Sequence, residues 1–186
     1  MNYIVTGPIC SGKSTFLNAA IKYGFDIMKS DELVSVLYKD EVIISELRNA
    51  FKEHRFEDKP KETIKQLFYK SESNKVIIEN IFHPIVHKTI EDKLESNKNI
   101  LIELPPLKNN INIIKENKSV FIDSSLEVRR QRFKERDSNN DINYFHKMNE
   151  YQADCLLIES YCDIVIKNNR NPSLLSDYFI KEITKS

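Results

Sequence analysis

Eight residues near the amino terminus constrain this chain more than any others. Gly7-Pro8-Ile9-Cys10-Ser11-Gly12-Lys13-Ser14 follows a short apolar run at 3–6 and opens a segment of helical character. The stretch fits G-x-x-x-x-G-K-[ST] in full, in the strand-to-helix setting where that pattern binds phosphate. The residue types follow from the chemistry. Glycines let the backbone wrap an anion with successive N–H groups turned inward, and the helix N-terminus adds partial positive charge. The spacing predicts phosphate contacts from Gly7, Ile9, Cys10, Ser11, Gly12, Lys13, Ser14 and Thr15. Lys13 should reach the β/γ-phosphates, and the Ser14 hydroxyl should ligate Mg²⁺. Cys10 reads as a small spacer whose N–H matters rather than its sulfur.

The rest of the chain narrows the type of phosphate-loop protein. Only three of 186 residues are glycine, at 7, 12 and 24. A chain of this length would ordinarily carry roughly 13. The D-x-x-G of GTPases is therefore impossible downstream, and Asn117-Lys118 is followed by Ser119-Val120, which breaks N-K-x-D. The downstream glycine motifs of ABC-type ATPases, shikimate kinases and adenylate kinases are absent as well. A small-molecule kinase using ATP remains. The 28 basic and 28 acidic residues cancel, so the overall field favours neither nucleic acid nor an anionic membrane. No apolar run is long enough to span a bilayer. Three cysteines without C-x-x-C pairing and a start unlike a signal peptide suggest the cytoplasm.

Strand signals at 3–6, 25–28, 100–104, 120–122 and 163–166 alternate with helical ones. They predict an α/β fold of the P-loop NTPase type: three layers, a five-stranded parallel sheet, a helical insertion and a lid. The expected core is 1–31 and 95–186, with the lid at about 132–152. The insertion, 32–94, has an apolar face at Ile78, Ile81, Phe82, Ile85 and Leu94, with Pro84 expected to kink or restart its helix. Gly24 stands where a first helix should stop. Ser124-x-x-Glu127 reads as a capping box opening a basic helix to about Arg136. Residues 137–143 read as a polar mobile loop, the next helix runs to about Tyr161, and Asn171-Pro172 opens a terminal one.

A parallel sheet brings the end of the second strand beside the phosphate loop, and Asp31 stands there. Its carboxylate could deprotonate an acceptor hydroxyl, or it could cap a helix beginning near Glu32. Position alone does not separate the two.

The chain resembles the dephospho-coenzyme A kinases. CSGKST at 10–15 is similar to that family's Gly-Ser-Gly-Lys-Ser loop. GFDIMKSD at 24–31 is similar to its glycine and Asp-Ala-Asp, with Asp31 at the second aspartate and Lys29 at the first. IENIFHP resembles its Leu-x-x-x-x-His-Pro through His83 and Pro84. Leu104-Pro105-Pro106-Leu107 resembles its Pro-Leu-Leu-Phe-Glu without the glutamate. Arg136-Asp137 matches the lid arginine and the aspartate after it, Gln152 a glutamine beyond the lid, and CDIVIKNN (162–169) a strand whose Asn, here Asn168, lies near adenine. Met148 stands where many members have arginine, and Lys59 and Lys61 are the nearest basic residues to the family's Asp-Arg.

This resemblance implies ATP-dependent phosphorylation of the ribose 3′-hydroxyl of dephospho-coenzyme A. Lys13, Asp31 and Arg136 would be catalytic. Asp31, His83, Pro84, Pro105 and Gln152 would lie on the acceptor side, and Arg136 and Asn168 on the ATP side. His83-Pro84 could equally be a helix joint, and His83 with His87 lacks the third ligand of a metal site. A nucleoside or nucleotide kinase shares the loop, sheet and lid, and an ATP-holding module without an acceptor shares the loop.

Overall fold

The structure, a computed structural model, describes residues 1–56, 59–136, 141–153, 155–170, 175 and 183. The chain forms two compact units, Met1–Met28 with Asn97–Ser186, and Lys29–Ser96.

The first unit is built on five strands: β1 (Asn2–Thr6), β2 (Asp26–Lys29), β3 (Ile100–Glu103), β4 (Ser119–Asp123) and β5 (Ile164–Lys167). Their order is β2-β3-β1-β4-β5. β1 pairs in parallel with β3 on one side, Tyr3 opposite Leu101, and with β4 on the other, Val5 opposite Val120. β4 and β5 pair in parallel too. Tyr3, Ile4 and Val5 are all buried, although they alternate between faces. That is why β1 reads as an unbroken apolar run, since a parallel sheet is covered on both sides. Helix α1 (Lys13–Ile21) lays Phe16, Leu17 and Ala20 against Tyr3, Val5, Leu101, Val120 and Ile122. Gly24, at φ +79°, follows the end of α1 and turns the chain toward β2. The strand order reverses direction between β1 and β4, and ligands of open α/β sheets bind outside the carboxyl ends of the strands at such a point.

The five strands match expectation to within a residue or two, but several helix boundaries differ. The stretch expected as one helix to Tyr161 is divided into α8 (Ile142–Tyr151) and α9 (Cys155–Glu159). Asp141 caps α8 by accepting from Asn143 N–H at 2.9 Å, so 142 and 143 are helical rather than loop. Residues 137–140 of that expected loop lie outside the described residues, as do Asn171-Pro172. Between β3 and β4 lie a short 3₁₀ turn, Lys108–Asn110, and α6 (Ile111–Glu116).

The second unit is helical: α2 (Ser30–Leu37), α3 (Glu41–Ala50), α4 (Pro60–Lys70) and α5 (Glu72–Ser96). The Asp40 carboxylate caps α3 through Val42 N–H and Ile43 N–H, at 2.9 and 3.2 Å. Pro60 opens α4, where a missing N–H costs nothing. The long α5 packs on the other three helices. Its buried stripe is Ile78, Phe82, Val86 and Ile90, each four residues from the last and so on one face. Ile81, Ile85 and Leu94 flank that stripe half-buried. α5 neither stops nor restarts at Pro84, which sits exposed inside it. Proline removes one helical hydrogen bond, and the packed stripe on both sides carries the helix through.

Candidate active site

The phosphate loop leaves β1 at Gly7 and enters α1 at Lys13. Its backbone is the shape an anion nest needs. Gly7 and Gly12 have φ of +140° and +109°, and Cys10 between them has φ +60°. A side chain at Gly7 would place Cβ 2.2 Å from the Ile122 carbonyl oxygen, and one at Gly12 would lie 2.3 Å from Asn168 Nδ2. No side chain caps α1 and no acidic residue enters its first turn. Its leading N–H groups are therefore suited to an external anion. Gly12→Ala should lower unfolding free energy by about 1–3 kcal/mol and weaken ADP binding, read by urea denaturation and calorimetry.

The carbonyls of the loop are held from behind. Ser11 O accepts from Asn168 Nδ2 at 2.6 Å, Arg132 NH1 at 3.2 Å and Ser124 Oγ at 3.2 Å. Ile9 O accepts from Arg129 NH1 at 3.4 Å, and Ile9 N–H donates to Gln152 Oε1 at 2.8 Å. Lys13 Nζ folds back to donate to Gly7 O at 2.8 Å and Pro8 O at 3.1 Å. It also pairs with Glu103 at 3.7 Å. The Arg136 guanidinium faces the Cys10 sulfur closely enough to pull on its thiol. Burial pushes the Cys10 thiol above its ordinary value against the pull of Arg136, Lys13 and Arg129, so at neutral pH it is protonated. Ser14 and Thr15 are exposed on the first turn of α1.

Asn168 and Gln152 are both buried with their side chains turned to the loop backbone. Pro105 is half-buried in the turn after β3, its carbonyl accepting from Leu107 N–H at 2.8 Å and Asn110 Nδ2 at 2.9 Å. The capping box expected at Ser124 is displaced by one residue. Ser125 Oγ accepts from Val128 N–H, while the buried Ser124 hydroxyl is spent on Ser11 O and Asn168 O. Asp137 lies outside the described residues.

In the helical unit, Asp31 is the second residue of α2, exposed, directly after β2 ends. It is not a cap: the cap position is Lys29, and no side chain bonds there. Lys29 pairs instead with Glu32 at 3.1 Å. Asp31 faces the half-buried Tyr38, whose phenol burial raises first and the charges of Asp31 and Tyr69 raise further. The Tyr38 ring meets Phe82 edge-on at 5.7 Å. His83, half-buried, stacks on His87 at 5.6 Å. Burial holds His83 below its ordinary value despite Glu79, and His87 lowers it further, so the ring is neutral at pH 7.

Four residues stand at the loop without having been expected there. Glu103, the partner of Lys13, was legible as a charged residue ending a buried parallel strand, where sites collect. Arg129 and Arg132 gave no signal of this role, and Ser124 read only as a cap, because a basic helix and its cap look alike whether they face solvent or a loop.

This sheet, with a phosphate-binding loop at its switch point and arginines gathered around it, defines a P-loop kinase. The sequence model of the dephospho-CoA kinase family matches residues 3–173. The chain belongs to that family, the ATP-dependent enzymes that phosphorylate dephospho-coenzyme A to coenzyme A. A dephospho-CoA kinase of Buchnera aphidicola (subsp. Schizaphis graminum) is 26% identical over 187 residues, covering 96% of this chain and 89% of that one. The fold is similar to that of a crystallised Thermus thermophilus protein (TM-score 0.80, 18% identity, 100% and 96% covered). It is also similar to a dephospho-CoA kinase from Campylobacter jejuni (TM-score 0.70, 22% identity, 99% and 97% covered). A shikimate kinase from Aquifex aeolicus shares the fold more loosely, at TM-score 0.55 and 18% identity over 100% of this chain and 97% of that one. That likeness is of backbone alone, since the glycine motifs of shikimate kinases are missing here.

Proposed function

We propose that the chain moves the γ-phosphoryl group of ATP onto the ribose 3′-hydroxyl of dephospho-coenzyme A, with Lys13, Asp31 and Arg136 as its catalytic residues. The observation that carries this reading is the loop itself. Its carbonyls are bonded from behind, and its lysine and a neighbouring arginine lie against it.

In this reading Gly7, Ile9, Cys10, Ser11, Gly12, Ser14 and Thr15 cradle the phosphates of ATP. Lys13 exchanges its bonds to the Gly7 and Pro8 carbonyls for β/γ-phosphate oxygens, with Glu103 holding its ammonium on that side. Asp31 accepts the proton of the 3′-hydroxyl as the new O–P bond forms and ADP departs. Arg136 leaves Cys10 to meet the charge on the transferring group, which is spread over oxygens in a loose transition state. Asp31, His83 and Pro84 of the helical unit would contact the acceptor, as would Pro105 and Gln152 of the sheet unit. Asn168 links the loop to the adenine side.

Mg²⁺ suits this donor set. No cluster of three or more His, Cys, Asp or Glu exists among the described residues, so the protein would offer chiefly the Ser14 hydroxyl. Magnesium favours that arrangement, keeping water and taking substrate phosphate oxygens, and bound there it would neutralise the β- and γ-oxygens.

Regiochemistry tests the assignment. Phosphorus NMR of the product should show one new phosphomonoester, at the 3′ position. The 3′-deoxy analogue of dephospho-coenzyme A should give no ADP above background. A product phosphorylated elsewhere, or turnover of the 3′-deoxy analogue, overturns it.

A further inference from the structure

Arg132 makes more backbone contacts across the fold than any role on a solvated basic helix requires. Besides Ser11 O, its NH1 donates to Ser124 Oγ at 3.0 Å. Its NH2 donates to Asn168 O at 2.9 Å and Arg170 O at 3.1 Å. One planar guanidinium thus joins the phosphate loop, the start of α7 (Leu126–Arg136) and the segment that follows β5. Ser124 Oγ closes the figure by donating to Asn168 O at 2.6 Å.

The consequence follows from peptide geometry. A trans peptide is planar, so its C=O and the next residue's N–H point in opposite directions. The donors on Ser11 O, Asn168 Nδ2 at 2.6 Å and Arg132 NH1 at 3.2 Å, therefore fix the direction of Gly12 N–H, in a residue whose lack of a side chain widens its choice of backbone angles. The same logic applies at Ile9 O, where Arg129 fixes Cys10 N–H. Without such bonds the loop could rotate its peptides and present carbonyl oxygens to an anion, which would repel it.

We propose that Arg132 is a positioning residue for nucleotide. It sets the Ser11–Gly12 peptide so that the Gly12 N–H faces phosphate, and it ties that peptide to the 168–170 segment so that both are ordered together. Arg132 itself makes no contact with nucleotide. This inference rests on the reading that the loop binds ATP.

The test compares Arg132→Ala and Arg132→Lys with wild type, using ADP affinity by calorimetry, KM for each substrate, kcat and thermal midpoint. Arg130→Ala, an exposed arginine on the same helix, controls for lost charge. Loss of a charge-assisted clamp should weaken ADP binding and raise KM for ATP by about tenfold or more in Arg132→Ala. KM for dephospho-coenzyme A should stay within about twofold, since the arginine touches nothing on that side. Arg132→Lys, which keeps the charge but not the planar fork, should fall between, and guanidinium salts should restore part of the ADP affinity of Arg132→Ala. If Arg132→Ala does not fold, Arg132→Lys carries the comparison by the same criterion. A lower thermal midpoint with unchanged ADP affinity overturns the proposal in favour of a purely structural role. A drop in kcat with unchanged ADP affinity overturns it in favour of direct contact with the transferring group. Failure of wild type to bind ADP would instead overturn the ATP reading beneath it.

Discussion

Replacing Lys13 by methionine lowers kcat about 10²–10³-fold, the loss expected when one preorganised charge is removed from a phosphoryl-transfer site. Methionine keeps most of the volume, so the loop survives and the effect is electrostatic. The ammonium is only partly exposed, and it is bonded to Gly7 O and Pro8 O and paired with Glu103. Its removal therefore has a second effect. It takes a cation from a Glu103 side chain that is 18% exposed, which should lower stability by about 1 kcal/mol. Lys13→Met/Glu103→Gln should recover that stability, because the carboxylate charge is gone, without recovering turnover. A double mutant that regains turnover would show that Lys13 serves only to neutralise Glu103. Steady-state kinetics and urea midpoints on the four proteins of this cycle separate the two effects.

The second large effect is at Asp31. Asp31→Asn should cut kcat by about 10²–10⁴, the range a positioned general base contributes, while ADP affinity stays within about twofold. Asparagine keeps the shape and removes only the basicity. Since Asp31 lies exposed in the first turn of α2 and caps nothing, its replacement should cost no more than about 0.3–1 kcal/mol of stability through the helix dipole. A fall in turnover with the fold intact is then chemical in origin. Unchanged turnover would remove Asp31 from the mechanism and leave its exposed carboxylate as surface.

The two residues differ in how they could be read from sequence. Lys13 is fixed by a local pattern, since the loop, its glycines and the helix it opens are consecutive. Asp31 rests on a further expectation, because singling it out took the parallel order of the strands as well as the residues around it. The strands were legible because buried parallel strands are unbroken apolar runs such as ILIE and SVFID. Pro84 did not restart its helix, because a proline's local cost says nothing of the packed stripe that carries the helix through. Ser124 misled for a related reason. A serine before a glutamate at that spacing is a cap only if its hydroxyl is free, and here the carbonyls of Ser11 and Asn168 take it. Arg129 and Arg132 were beyond reach, because their partners are backbone atoms 120 or more positions away in the loop. Contacts to distant carbonyls leave no residue-type signature at either end.

Acceptor selectivity separates phosphorylation of dephospho-coenzyme A from the rival readings. ADP release should be measured with dephospho-coenzyme A and with a panel of nucleosides and nucleoside monophosphates, at matched ATP and magnesium. kcat/KM for dephospho-coenzyme A should exceed that for any other acceptor by at least 100-fold, about 2.7 kcal/mol of transition-state preference. A nucleoside or nucleotide turned over as well or better, or ATP bound with no acceptor supporting ADP release, would contradict it.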